Sequence, residues 1–441
     1  MEKQQINEQL KRFLDSSPNA WYAVANMARE LEAAGFARLE ESDAWELEGG
    51  RGYYVTRNGS ALIAFRLPKR GLPVGYNIMA SHADSPAFRV KTNPEIFDQN
   101  GIVKLNVEGY GGMLRATWFD RPLTVAGRAV VRIGSGVETR LVYVDRDLGI
   151  IPSLAIHMDR QANDGATYNI QNDMLPIIGN KSNGYAEGDF MKLVAEAAGV
   201  DADDILDCDL MLCTRDRAVN LGVNGELIAS GRLDDLQCAY ASLCGIIEAQ
   251  PADSCAVHCV FDNEEVGSGT KQGAASTFLR DTLTRVNSAL GGGDEDHARA
   301  VSSGFMVSAD NAHAVHPNHA EKADPTNRPA INGGIVIKYS ANQRYTTDAV
   351  SGAIFRTLCA RADVPTQTFH NRSDMAGGST LGNISTSQVA LNCVDVGLPQ
   401  LAMHSAYETA GTDDVAYLAA AARALFSSTI RRTADGSFTV E

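Results

Sequence analysis

Five segments place an imidazole or a carboxylate directly behind an apolar run or at the start of a helical pattern. In Ile78-Met-Ala-Ser-His82-Ala-Asp84, His82 closes a strand-like run and Asp84 follows two residues later. A carboxylate there can accept the second imidazole N–H and fix the tautomer of a metal-binding histidine. By itself the pair is more often structural. In Gly231-Arg-Leu-Asp234-Asp235-Leu, two carboxylates open a helix. One aspartate at that place is usually a cap, which leaves the other to bridge two cations. In Val257-His-Cys-Val-Phe-Asp262-Asn-Glu264-Glu265-Val-Gly267, an apolar strand runs into three acids bounded by glycine. Adjacent residues on a regular strand point to opposite faces, but on a glycine-bounded turn Glu264 and Glu265 can converge. One can then hold a metal while its neighbour takes a proton from water. A solvated acidic loop is the plain alternative.

The fourth segment is Gly304-Phe-Met-Val-Ser-Ala-Asp310, continued by Asn-Ala-His313-Ala-Val-His316-Pro-Asn-His319, and Asp310 again ends an apolar strand. Three histidines at a spacing of three invite a metal on a helix. Pro317 argues against a continuous helix, so pocket lining is the expected role of His313 and its two followers. The fifth is Leu401-Ala-Met-His404-Ser-Ala-Tyr-Glu408. A lone histidine in such a run is usually a satisfied core residue. Taken jointly, the five supply two His, a bridging Asp, a Glu, a further Asp and a Glu left over. That inventory matches two divalent ions with one position open to water. Carboxylate and imidazole without thiolate suit Zn²⁺, Mn²⁺ or Co²⁺. Two such ions clamp a nucleophilic water and the oxyanion of a hydrolytic transition state. Glu264 would carry the proton, an effect worth about 10²–10⁴-fold.

These side chains need elements that bring strand ends together. Residues 5–35 read as two helices separated at Ser17-Pro18-Asn19. Residues 52–56 and 60–67 read as strands around an Asn58-Gly59 turn, and 74–81 as a strand buried on both faces. From Leu233 the pattern alternates: helix 233–249, strand 255–261, helix 272–289, strands 304–309 and 333–339, helix 347–361, strand 388–394, helix 412–426. Alternating strand and helix implies a mostly parallel sheet covered on both faces. In such sheets ligands gather at the carboxyl ends of the strands, where the candidate residues lie. Between these stretches, residues 92–221 carry Val-rich runs broken by Gly and Pro, then a helix-like stretch at 190–198. The expected fold class is α/β: a discontinuous catalytic domain (1–91 and 222–441) interrupted by a β-rich insertion (92–221). The run from Gly291 to Ala298 reads as a mobile loop.

Composition narrows the partners. The 441 residues are 44% hydrophobic and 21% charged, which is globular composition and long enough for a sizeable core. Lys+Arg 39 against Asp+Glu 54 gives a net charge of −15 with no basic cluster, which disfavours a nucleic-acid partner. No apolar stretch reaches the length of a membrane span. The N-terminus is polar and unlike a signal peptide. None of the 8 Cys form a C-x-x-C pair, and the expectation is buried, reduced thiols in a cytoplasmic protein.

The chain resembles the aspartyl aminopeptidase family of dinuclear zinc metallopeptidases. The matching segments, in order, are F-L-D-S-S-P-N-A-W-Y-A-V (13–24), S-H-A-D-S-P-A-F (81–88), G-R-L-D-D-L (231–236), F-D-N-E-E-V-G-S (261–268), D-N-A-H-A-V-H-P-N (310–318), I-K-Y-S-A-N-Q-R-Y (337–345) and H-S-A-Y-E (404–408). The resemblance implies that Asp234 bridges two metals, with His82 and Asp310 completing one site and Glu265 and His404 the other. Glu264 becomes general base and then acid to the leaving amine, and Asp84 orients His82. It implies a cis peptide at Asp234–Asp235, and an insertion used for dimer contacts within a tetrahedral dodecamer. His157 matches a residue that reaches a neighbouring subunit's active site. Lys338 lies in the segment around the acidic-substrate pocket, where its charge would favour N-terminal Asp or Glu on short peptides. The family's Pro-Cys-Gly run near that pocket is replaced by Ala376-Gly377-Gly378, which loosens the expectation of specificity more than that of chemistry.

Two other roles fit part of the same inventory. One is a dinuclear amidohydrolase or carboxypeptidase, with Arg344 or Arg372 holding a free carboxylate. The other is a catalytically silent assembly protein, against which the intact Glu264 and full ligand set speak.

Overall fold

The computed structural model describes residues 2–441 and separates into two compact units. The first holds the residues up to Asp84, Ala218–Met403 and Glu408–Glu441; the second holds Ser85–Arg217 and His404–Tyr407. The sequence expectation drew the divide at 91/92 and 221/222. Strand Ala87–Phe97 pairs wholly within the second unit's sheet, whereas Val219–Leu221 pairs with Leu227–Ser230 in the first.

Among the described residues, the first unit is built on a nine-stranded sheet. Its order is Ala37–Leu39, Gly52–Arg57, Ala61–Arg66, Cys255–Phe261, Tyr76–His82, Phe305–Ala309, Asn392–Gly397, Ile335–Tyr339 and Thr366–His370. The four strands at its centre, Cys255–Phe261 through Asn392–Gly397, run parallel to one another. Three of them are buried along their whole length, which is why they read as unbroken apolar runs. Their side chains alternate between two cores. Met79 and Val260 join one face, under the helices Lys3–Ser16, Ala20–Ala33, Leu233–Glu248, Ala349–Arg361 and Asp414–Ser427. Ile78, Ala80, Val257 and Phe261 join the other, with Phe278, Leu279, Leu283 and Val286 of the helix Phe278–Ala289. Gly245 lets two helices close up: a Cβ there would lie 2.5 Å from that of Ala422.

Local chemistry explains several boundaries. Asn58 and Gly59 both take positive φ (58° and 66°) in the expected hairpin. The expected loop at 291–298 is instead turn and helix, Asp294–Ser302, and this corrects the sequence expectation. Asp294, Glu295 and Asp296 occupy its first turn, where carboxylates meet the positive end of the helix dipole. Asp296 Oδ2 also accepts the Gly293 N–H at 3.0 Å. The helix expected from 272 begins only at Phe278, and the strand expected at 388–394 lies at Asn392–Gly397. Thr366–His370, unmarked in the sequence, forms a sheet edge.

The second unit carries an antiparallel six-stranded sheet among the described residues. Its order is Gly136–Tyr143, Leu123–Ile133, Ile205–Thr214, Ala87–Phe97, Ile102–Tyr110 and Ile177–Asn180. Phe190, Val194 and Ala198 of the helix Asp189–Ala198 join its core. Among the described residues no helix is long and apolar enough to cross a membrane, and no disulfide forms.

Candidate metal centre

The parallel register sets His82 opposite Phe261, so both strands end at the same level. The chain then enters Asp262, Asn263, Glu264 and Glu265. A single 3₁₀ turn, Glu264–Val266, sits between Asn263 (φ 62°) and Gly267 (φ 96°). Asn263 pins that turn: its Oδ1 accepts from Thr270 Oγ1 (2.8 Å) and Gln272 Nε2 (2.9 Å). Asp310 follows strand Phe305–Ala309 and donates its N–H to the Val396 carbonyl at 3.0 Å. Asp234 and Asp235 open the helix Leu233–Glu248 with non-helical backbone, behind Arg232 at φ 62°, and the peptide joining them is cis.

His82 Nδ1 lies 2.9 Å from the Asp84 carbonyl and 3.5 Å from its carboxylate. A carbonyl only accepts, so Nδ1 carries the hydrogen. Nε2 faces Asp234 Oδ1 at 3.3 Å and Asp310 Oδ1 at 3.9 Å. The Asp84 carboxylate has a second use. Its Oδ1 accepts the Glu264 N–H and its Oδ2 the Glu265 N–H, each at 3.1 Å. Ligand atoms of His82, Asp234 and Asp310 lie within 4.8 Å of one another, as do those of His82, Glu264 and Glu265.

This is a crowd of like charges. Burial raises the pKa of Glu265, and the Asp234 charge adds to it; burial likewise raises Glu264, with Asp310 and Asp84 adding to it. Burial pulls His82 down, but the carboxylates of Asp234, Asp310 and Asp84 outweigh it and hold the imidazole well above its usual range. Nε2 therefore either carries a second proton or shares a cation with the oxygens it faces. Carboxylates and an imidazole converging without a thiolate are the donor set of a zinc-type ion. The residues present fit such an ion.

The cluster rests on a buried polar layer. Asp235 Oδ2 accepts the His82 N–H, and Glu408 Oε2 accepts the Asp234 N–H, both at 3.1 Å. Asn311 donates to Gln237 Oε1 (3.2 Å) and Gln400 Oε1 (2.6 Å), and accepts from Cys238 Sγ at 2.9 Å. Sequence reasoning missed Asn311, Gln237, Cys238 and Gln400. The available signal was an amide beside a proposed ligand; nothing marks Gln400.

The other expected site residues fall elsewhere. Lys338 is buried, donating to the Asn311 carbonyl at 2.9 Å with Asp310 Oδ2 at 3.9 Å. Burial lowers its pKa, but Asp310 and its other neighbours outweigh this and hold it raised. His313 and Gly378 line a separate cavity of about 310 Å³, which Lys338 does not line. His316 and His319 line it too, in non-helical chain around Pro317. His157 is exposed in the second unit. His404 also belongs to that unit, with Nδ1 2.8 Å from the Gly112 carbonyl.

Residues 13–426 match the model of the Aminopeptidase I zinc metalloprotease (M18) family. A probable M18 family aminopeptidase 2 of Clostridium acetobutylicum is 46% identical over 410 residues, covering 92% of this chain and 95% of that protein. Its counterpart in Pseudomonas aeruginosa is 46% identical over 429 residues, covering 96% and 98%. Among solved structures, the cryo-EM structure of the Ape4 and Nbr1 complex aligns with TM-score 0.92 at 34% identity, covering 96% of this chain and 86% of that one. The S. cerevisiae mApe1 dodecamer aligns with TM-score 0.85 at 25% identity, covering 97% of each chain.

Proposed function

The chain belongs to the M18 aminopeptidase family of zinc metalloproteases, and we propose a two-zinc aminopeptidase that removes N-terminal residues from short peptides, with a preference for Asp or Glu. The observation that carries the proposal is that His82 belongs to two close groups of possible ligands, one with Asp234 and Asp310 and one with Glu264 and Glu265. His82 and Asp310 would hold one ion and Glu265 the other, with Asp234 available to both. His404 stays with the proposal as a ligand on its sequence context alone.

Bound zinc supplies Lewis-acid polarisation of the scissile carbonyl and acidifies water. The chain's own residues do the rest. Glu264 takes a proton from the attacking water at its carboxylate and passes it to the amine as the C–N bond breaks. Asp84 holds Glu264 at the angle this requires, through the backbone rather than the side chain. The His82 N–H is tied to Asp235 and the Asp234 N–H to Glu408, so the ligand backbones are fixed before a metal arrives. Lys338 stays with the proposed acidic preference on its sequence context alone, since its buried ammonium is held by the Asn311 carbonyl beside Asp310. Gly378 and His313 are proposed substrate contacts.

For assembly, Leu154, Ile156 and Met158 flank His157 with 61%, 47% and 75% of their surface exposed. Apolar side chains left in water around one loop suit a contact between copies. With the likeness to a dodecameric mApe1, this supports a homo-dodecamer in which His157 reaches a neighbour's site.

The test is a panel of aminoacyl-p-nitroanilides on zinc-reconstituted protein, with N-acetyl-Asp as counter-substrate. Fastest release from the Asp and Glu compounds is expected. Turnover of the acylated compound alone would overturn the assignment. Light scattering on the same sample reads the assembly, and a monomer would remove the dodecamer.

A further inference from the structure

The polar layer beneath the proposed ligands closes into a ring. Asn311 Nδ2 donates to Gln400 Oε1 at 2.6 Å and to Gln237 Oε1 at 3.2 Å. Gln400 Nε2 donates to Glu408 Oε1 at 3.5 Å, and Glu408 Oε2 accepts the Asp234 N–H at 3.1 Å. Asn311 adjoins Asp310 in the chain, and Gln237 lies three residues beyond Asp234 on the same helix. One amide side chain, that of Gln400, thus joins the neighbour of one proposed ligand to the carboxylate that holds the backbone of another, and the helix completes the circuit. Gln400, Asn311 and Glu408 are 1%, 2% and 2% exposed. A bond lost here leaves a buried polar group unpaired instead of wetted.

Strand order explains why Gln400 can reach both sides. Among the described residues, a five-stranded sheet runs Val219–Leu221, Leu227–Ser230, Glu408–Gly411, Pro399–Leu401 and Ala312–His313. Leu227–Ser230 leads into Asp234, and Ala312–His313 follows Asp310. Gln400 lies between, paired with His313 on one side and Ala410 on the other. Glu408 is two residues from Ala410, hence on the same face and at the diagonal spacing that long side chains cross. The chemistry of position 400 is equally narrow. It needs an acceptor for the Asn311 amide and a donor for the Glu408 carboxylate, and a glutamine carries one of each. His82 Nε2 faces Asp234 Oδ1 at 3.3 Å and Asp310 Oδ1 at 3.9 Å. A zinc-type ion demands carboxylate oxygens at about 2.0–2.2 Å, so the spacing of these two aspartates decides how well it is held. We propose that Gln400 is a positioning residue of the metal centre, setting the spacing of Asp234 and Asp310 through Glu408 and Asn311. This rests on the two-zinc function proposed above.

The test measures the zinc Kd of the full chain by competition with a chromogenic chelator, and the visible spectrum of the Co²⁺-loaded protein, whose bands follow ligand geometry. Gln400→Glu sets two carboxylates against each other. Glu408→Gln sets two amide N–H groups against each other, because its remaining oxygen is taken by the Asp234 N–H. Each is expected to raise the zinc Kd by about 10–100-fold and to shift the cobalt bands. The exchange of both, Gln400→Glu with Glu408→Gln, restores every bond of the path with one donor and acceptor reversed. It should return the Kd to within about threefold of the parent, with the parental bands, whereas independent damage at the two positions would add. Single variants with the parental Kd overturn the proposal, as does an exchange that binds no better than the weaker single. If a single variant does not fold, Gln400→Met, similar in length and without the hydrogen bonds, takes its place, and a parental Kd there overturns the proposal. A parent chain that binds no zinc, or binds it without cleaving Asp-p-nitroanilide, would instead count against the two-zinc aminopeptidase itself.

Discussion

Asp84 grips Glu264 by its backbone: Oδ1 of the one accepts the N–H of the other at 3.1 Å, across a gap of 180 positions in the chain. The companion oxygen takes the next N–H, that of Glu265, at the same distance. One carboxylate thus sets the pitch of the turn on which a proposed base and a proposed ligand sit side by side. Asp84→Asn keeps the shape but replaces one acceptor with an amide donor facing an N–H. The expected result is a 10–100-fold fall in kcat/KM, with the far-UV circular dichroism spectrum unchanged. Full activity in this variant would mean the turn holds itself.

Glu264→Gln removes the proton acceptor but keeps the volume. Turnover should fall by about 10²–10⁴-fold, with zinc content and oligomer size as in the parent. Metal analysis beside the assay separates the outcomes. Loss of zinc together with activity would reassign Glu264 from base to ligand.

Removing the metal should cost stability as well as activity. With the ion gone, buried carboxylates face one another across a few ångströms. Zinc at a thousand times its Kd stabilises by about 4 kcal/mol. An excess of chelator is therefore expected to abolish turnover and lower the unfolding midpoint, and added zinc to restore both. Turnover that survives exhaustive chelation would defeat the metal assignment.

His258 offers a prediction independent of the site. It is fully buried in strand Cys255–Phe261, with Nδ1 2.7 Å from Ser242 Oγ. Burial lowers its pKa to about 3. A depressed pKa means the unfolded chain takes up the proton first, so this contribution is present above about pH 6.5 and lost as pH falls towards 3. By pH 5 the loss is about 2 kcal/mol. Thermal unfolding between pH 7 and pH 5 should show a shallower decline in His258→Gln than in the parent. Parallel declines would mean His258 takes up a proton in the folded chain.

Much of this architecture is legible in the sequence, for a physical reason. Strands Tyr76–His82, Cys255–Phe261 and Phe305–Ala309 are covered on both faces, so their sequences are apolar without interruption and stop where charge begins. The candidate site residues His82, Asp262, Glu264, Glu265 and Asp310 stand at or just past those stops. What stayed hidden depended on neighbours remote in sequence. Thr366–His370 has the polar character of an edge and, among the described residues, pairs only with Ile335–Tyr339. The Gly291–Gly293 run masked the helix behind it, whose acids act as an electrostatic start signal. Lys338 was readable as a cation, but not as one whose ammonium is committed to the Asn311 carbonyl beside Asp310. Gln400 joins the layer beneath the ligands only because its strand folds against Asn311.

His82, Asp234, Glu264 and Asp310 come from strand ends and a helix start scattered over more than two hundred positions, on a sheet whose central neighbours are not consecutive in the chain. A polypeptide emerging from the ribosome carries His82 long before Asp310 exists, and the two strands that flank its own, Cys255–Phe261 and Phe305–Ala309, are likewise made long after it. No fragment short of the last of them holds a complete cutting centre. The order of synthesis therefore acts as a safety catch: the residues of the centre meet only after most of the chain has been made.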